Sequence, residues 1–327
     1  MTPSSQQPAS RALVGITVAC AVVFGAFVAL QSRINGELGR ALGDGYLAAV
    51  ISFGSGLIVL SLAMAASRTG RSGFARVVSA IRGRRTPVWY ALGGAAGAFL
   101  VLSQGLTASA LGVALFTVAT VCGQTLSGLL LDRRGLGTMA PKPLTATRVA
   151  GSALALVAVV WAVSAQLQGD IPLWMIVMPF LAGLGIGWQQ AVNGQVRGIA
   201  GSALTATFVN FVVGTTVLVV AFAVHALAVG VPDGLPQNPW LYTGGLIGVV
   251  FIAGAAVAVR ITGVLLLGLG TIAGQLVMSL ALDLTVPAVG HTVAWTTVAG
   301  TGLTLVAVGI ASLPARRRPS PIAGSPS

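Results

Sequence analysis

Apolar residues along this chain fall in long blocks, and charge marks the breaks between them. Charge-free runs cover 12–32, 45–67, 86–131, 149–169, 171–196, 198–232, 234–259, 261–282 and 284–315. A helix needs about 20 apolar residues to cross a hydrocarbon core about 30 Å thick. Each run can therefore cross once, and 86–131 is long enough for two crossings, with Thr107, Ala108, Ser109, Ala110 and Gly112 offering a place to turn. The pattern predicts an all-α membrane protein with ten transmembrane spans. The first run has the outline of a signal sequence, because Arg11 precedes it and Val18-Ala19-Cys20 lies within it. It continues to Leu30, too far for a signal core, and Thr17 stands where a lipoprotein signal carries Leu, so it counts as span 1.

Composition agrees with this reading. Of 327 residues, 55% are hydrophobic and 7% charged, far too little charge for a water-facing surface of this size. A net charge of +12 would suggest nucleic acid in a soluble chain, but here the bases act first as topology signals. With the N-terminus inside, 16 of the 18 basic residues fall on the cytoplasmic side and only Arg33 and Arg40 fall outside. Both termini are thus expected in the cytoplasm (N-in/C-in), and no nucleic-acid partner is expected. Cys20 and Cys122 both lie in apolar runs and imply neither a disulfide framework nor a zinc site.

The chain repeats itself. Gln31-Ser-Arg-Ile-Asn35-Gly36 matches Gln189-Gln-Ala-Val-Asn193-Gly194 at an offset of 158, and the register continues through Gly43/Gly201, Ala48/Ala206, Phe53/Phe211 and Gly56/Gly214. After a shortening of the basic stretch, the offset becomes 151: Trp89/Trp240, Gly93-Gly94/Gly244-Gly245, Gly97/Gly248, Gly112/Gly263, Gly123-Gln124/Gly274-Gln275 and Asp132/Asp283. A further shift aligns Val149-Ala-Gly151 with Val298-Ala-Gly300. Spans 1–5 and 6–10 are copies, and an odd number of spans per copy makes their topologies inverted, as in many secondary transporters. The expected organisation is a disordered tail over 1–10, a first five-helix repeat over 11–169, a second over 170–313, and a basic cytoplasmic tail over 314–327.

At this point the residues resemble a known group. Ten helices in two five-helix halves are similar to the drug/metabolite transporter (EamA-like) superfamily. The paired Gln-x-x-x-Asn-Gly followed by Ala-x-x-x-x-Phe-x-x-Gly resembles the YdcZ-type inner-membrane exporters. The likeness runs over residues 11–313 and looks like the fused form of a unit that in other members stands alone. It implies a multi-pass carrier of the bacterial inner (plasma) membrane that exports a small metabolite or toxic compound, and it supplies no substrate.

The candidate cavity residues are Gln31, Asn35, Gln124, Gln189, Asn193, Asn210 and Gln275. Gln31/Asn35 and Gln189/Asn193 are four apart and share a helix face, so they either line a cavity or, as Asn-Gly, cap a helix. Gln124 and Gln275 fall mid-span, where an unsatisfied amide costs several kcal/mol, so they face the interior as interhelical bonds or as solute contacts. Asn210 stands where the first repeat has Ser52, an asymmetry useful for an asymmetric solute. Trp188 is either a pocket wall or an interface anchor. Gly93/Gly97 and Gly244/Gly248 are Gly-x-x-x-Gly pairs suited to close helix packing. No span centre holds Asp, Glu or Lys. Asp132 and Asp283, with Glu37 and His225, are either solvated helix-end charges or, for Asp283 and Asp132, coupling sites.

These features support an alternating-access carrier in which one five-helix half rocks against the other, around a cavity lined by spans 1, 4, 6, 7 and 9, for a neutral, zwitterionic or amphipathic solute. Its partners would be that small molecule and the lipid bilayer, it would act as a monomer or homodimer, and no cofactor or metal is expected. The rival is a non-transporting membrane scaffold or sensor subunit. An intramembrane enzyme is disfavoured because no His-Glu-x-x-His, Gly-x-Ser-x-Gly or catalytic carboxylate pair occurs in the spans.

Overall fold

A computed structural model describes residues 11–134, 145–164, 171–287 and 293–311. Helix follows helix: α1 (Arg11–Leu42), α2 (Gly45–Ala66), α3 (Arg68–Arg82), α4 (Gly93–Ser103), a π-turn (Gln104–Ala108), α5 (Ser109–Leu111) and α6 (Val113–Arg134). They are followed by α7 (Ala146–Val163), α8 (Leu173–Ala200), α9 (Ala203–Val229), α10 (Gly244–Thr285) and α11 (Trp295–Ala311). Among the described residues, seven helical segments are long and apolar enough to cross a membrane, and α11 and Val149–Ala162 are shorter apolar helices. The expected tails and the 169/170 repeat boundary lie outside the described residues.

Two features depart from the expected spans. The basic stretch after α2 is a helix: α3 buries only Gly70, Gly73 and Val77 and exposes Arg68, Arg71, Arg76 and Arg82. Its small buried face lets it lie against the α8–α9 junction, where Thr205 Oγ1 donates to Gly70 O at 2.9 Å and Arg76 donates to Ala200 O. The second departure is that α10 stays helical through the place where spans 8 and 9 were expected to separate, although its course still reverses between Gly248 and Gly274. It cannot be straight. Gly248 and Gly274 would be about 40 Å apart along a straight helix, yet they meet Gln31 and Val22 of α1, which are about 14 Å apart. The two ends of α10 therefore fold back on one stretch of α1.

The duplication governs the turns and the packing. Gly43 and Gly201 end α1 and α8 at φ +63° and +61°, a left-handed turn that glycine adopts without steric cost. The next residues, Asp44 and Ser202, each cap the following helix through the side chain. Backbone contacts are duplicated as well. A Cβ at Gly123 would strike Phe180 O, and one at the equivalent Gly274 would strike Val22 O; Gly94 abuts Asn210 O, and Gly245 abuts Ser52 O. These approaches join helices of opposite repeats: α10 with α1 and α2, α6 with α8, and α4 with α9. At the centre, Phe53 of α2 stacks on Phe211 of α9.

Candidate functional site

Two polar clusters flank this stacked pair, one in each repeat. Both grow from the Gln-x-x-x-Asn face of a long helix that crosses a glycine-bearing helix closely enough for the amides to meet its backbone. Asn35 and Asn193 each stand seven residues before the end of their helix, at Leu42 and Ala200, so neither is a helix cap and the capping reading is set aside. Because α1 and α8 enter from opposite sides, the first cluster lies toward the face of the Gly43 turn and the second toward the basic face carrying α3.

The second cluster is closed on itself. Gln189 Nε2 donates to Asn210 Oδ1 at 3.0 Å, and Asn210 Nδ2 donates to Asn193 Oδ1 at 3.1 Å. Gly93 and Gly97 give these side chains room: a Cβ at Gly97 would lie 2.8 Å from Gln189 Nε2, and one at Gly93 would lie 2.9 Å from Asn193 Oδ1. The glycine pair therefore admits polar side chains as well as a neighbouring helix.

The first cluster differs. Gln31 Nε2 donates to Gly244 O at 3.0 Å, beside Gly248. Asn35 is fully buried, and its Nδ2 donates to Gln104 Oε1 at 2.7 Å, while Gln104 Nε2 donates to Ser32 Oγ at 2.9 Å. Gln104 was not singled out from the sequence, because its repeat counterpart is Ala255; a lone glutamine inside an apolar run was the available signal. It sits in the π-turn, a backbone irregularity often found at functional sites.

Gln124 and Gln275 stand at different points, where α6 crosses α8 and α10 crosses α1. Gln275 is buried and Gln124 half-buried, and the structure does not bring them into the two amide clusters. Trp188 is half-buried beside Gln189.

Of the charged candidates, Glu37, Asp283 and His225 gather with Arg33 and Asp44 on the face opposite α3. Asp283 is buried, so the solvated helix-end reading does not apply to it. Its Oδ1 and Oδ2 accept from Val113 N at 3.0 Å and Ala114 N at 2.7 Å, capping α6 across the repeats. Arg33 donates to Glu37 at 2.6 Å and lies 3.9 Å from Asp283. A carboxylate at a helix N-terminus is stabilised by the exposed amides and the helix dipole, which offsets the cost of its burial. The side chain of Asp132 lies outside the described residues. Nearby, His225 of α9 stacks on Tyr46 at 4.3 Å and stands 3.7 Å from Asp44, pinning α9 to the start of α2.

Comparison with known proteins agrees with this architecture. The family model described as "Putative inner membrane exporter, YdcZ" matches twice, over residues 16–161 and 174–311. The chain belongs to the YdcZ family of inner-membrane exporters. The double match assigns one family unit to each repeat, and with the apolar helices it makes this YdcZ-family chain a multi-pass protein of the inner membrane and a membrane transporter. No curated protein matches. A solved chain described as "Crystal structure of protein" aligns over 94% of this chain and 100% of its own, with a TM-score of 0.56 at 19% identity, and shows the fold alone.

Proposed function

We propose that this YdcZ-family chain is an alternating-access exporter of a small neutral, zwitterionic or amphipathic solute. The observation that carries this reading is the pair of repeat-related amide clusters, one on each side of the Phe53–Phe211 stack. Amides without a net charge suit a polar but uncharged group, whereas a strongly anionic solute would call for inward-facing bases.

The moving bodies in this proposal are mixed bundles rather than whole repeats. Glycine contacts fasten α1 to α10 and α8 to α4 and α6, so rocking takes place between these bundles with the aromatic pair at the pivot. On the face opposite α3 they meet where Gly36 and Gly39 of α1 abut the π-turn, at Ala108 and Gly105. Positive-inside bias makes the α3 face cytoplasmic.

The test compares intracellular and extracellular small-molecule profiles of cells expressing the wild type with cells expressing an equal amount of Gln31→Ala/Gln189→Ala. One compound class should accumulate outside with the wild type alone. Matching profiles from two folded, membrane-inserted proteins would count against transport through these clusters and favour a scaffold.

A further inference from the structure

The two clusters differ at one repeat position, and the difference describes a ligand group. In the second repeat, the carboxamide of Asn210 bridges its neighbours by accepting from Gln189 and donating to Asn193 Oδ1. The equivalent first-repeat residue is Ser52, which is too short to do either. Asn35 Oδ1, the counterpart of Asn193 Oδ1, has no hydrogen-bond partner, and neither has Ser52 Oγ, although Asn35 is 0% and Ser52 2% exposed. Both atoms pack against one point of α10 that is closed in this conformation: a Cβ at Gly244 would collide with Asn35 Oδ1 and lie 3.2 Å from Ser52 Oγ.

The hydrogen-bond chain fixes which end of the Asn35 amide is unpaired. The carbonyl of Val28 can only accept, so it takes the single proton of Ser32 Oγ at 3.0 Å. Ser32 then accepts from Gln104 Nε2, and Gln104 Oε1 accepts from Asn35 Nδ2. Each link points the same way, and the chain ends with an acceptor, Asn35 Oδ1, turned toward Gly244 and Ser52. Leaving a buried acceptor unpaired is costly, and native proteins rarely do so without a reason.

We propose that the first-repeat cluster is a binding subsite for a carboxamide-type group of the transported solute, with an N–H donated to Asn35 Oδ1 and an adjacent carbonyl oxygen within reach of Gln31 and Ser52. Asn210 is the built-in copy of that group in the other repeat. The inference rests on the carrier reading and names the chemistry its solute presents.

A matched probe pair tests it on the purified full chain in detergent: benzamide, and N,N-dimethylbenzamide, which keeps the ring and carbonyl but has no N–H. Benzamide should raise the wild-type melting temperature by about 2 °C or more at saturation, and the dimethyl compound should not. Ser52→Asn, which restores the bridging carboxamide, should melt higher than wild type without probe and lose the response to benzamide. Asn210→Ser should melt lower yet keep that response.

Equal responses to both probes, no wild-type response, or a Ser52→Asn protein that still responds as wild type would each overturn the subsite; a lack of response would mean that a bound water alone satisfies Asn35. The wild-type comparison stands on its own if Ser52→Asn does not fold. Solute export that persists in Ser52→Asn would remove this subsite and leave the carrier in place, whereas absence of export from wild type would remove the carrier reading itself.

Discussion

Phe53 and Phe211 occupy the same position in the two repeats and stack on one another, with ring centroids 4.8 Å apart and planes at 27°. A residue that packs on its own repeat copy marks the pseudo-twofold axis. Each ring also covers the other helix's glycine, Phe211 over Gly56 and Phe53 over Gly214. Truncating either ring should therefore cost about the same. Phe53→Ala and Phe211→Ala are each expected to lose about 3–5 kcal/mol, with a coupling of about 0.5–1.5 kcal/mol in a double-mutant cycle. Unequal single losses without coupling would contradict a symmetric pivot.

The amide clusters make opposite predictions at one repeat position. Asn210→Ala leaves Gln189 Nε2 and Asn193 Oδ1 without partners and should destabilise by about 1–3 kcal/mol. Ser52→Ala removes a hydroxyl that has no partner and should be neutral or slightly stabilising. Thermal melts in one detergent compare the two directly.

Asp283 has a structural task that a coupling site would not require, because it holds the start of α6 from α10. Asp283→Asn keeps the shape but loses the charge and one acceptor facing the two amides. A loss of about 1.5–3 kcal/mol is expected. Variant protein that does fold should still export. Normal stability with abolished export would instead favour a coupling role.

Sidedness follows from α3. In a Cys20→Ser/Cys122→Ala background, Ser79→Cys should react only with a membrane-permeant thiol reagent in intact cells. Gln237→Cys, in the segment between α9 and α10, should react with an impermeant one. The reverse pattern would invert the proposed orientation.

The spans and the duplication were legible because hydrophobicity and glycine spacing are local properties of the chain. The helical nature of α3 was not, since its buried face is Gly70, Gly73 and Val77 and reads as a basic loop. Candidate residues such as Gln31, Asn35, Gln189, Asn193 and Asn210 were visible as polar residues in apolar runs. Their partners were not, because the bond from Gln31 to Gly244 spans 213 residues and depends on how α1 crosses α10. The role of Asp283 was likewise hidden: capping a helix 169 residues earlier in the chain leaves no local pattern. The Ser52/Asn210 difference was legible as an asymmetry, but its consequence appears only when both hydrogen-bond networks are traced.

The most direct test of alternating access is a reversible lock between the two bundles. A Cβ at Gly36 would stand 3.0 Å from Ala108 Cβ and 2.9 Å from Ser109 N, so α1 and the π-turn must separate by about 0.5 Å or more to seat a disulfide there. Gly36→Cys/Ala108→Cys in the background without native cysteines would tie α1 to the π-turn on the face opposite α3. Export of the compound class found in the profile comparison should stop when the pair is oxidised and return on reduction. Equal export from the fully cross-linked and the reduced protein would contradict the account.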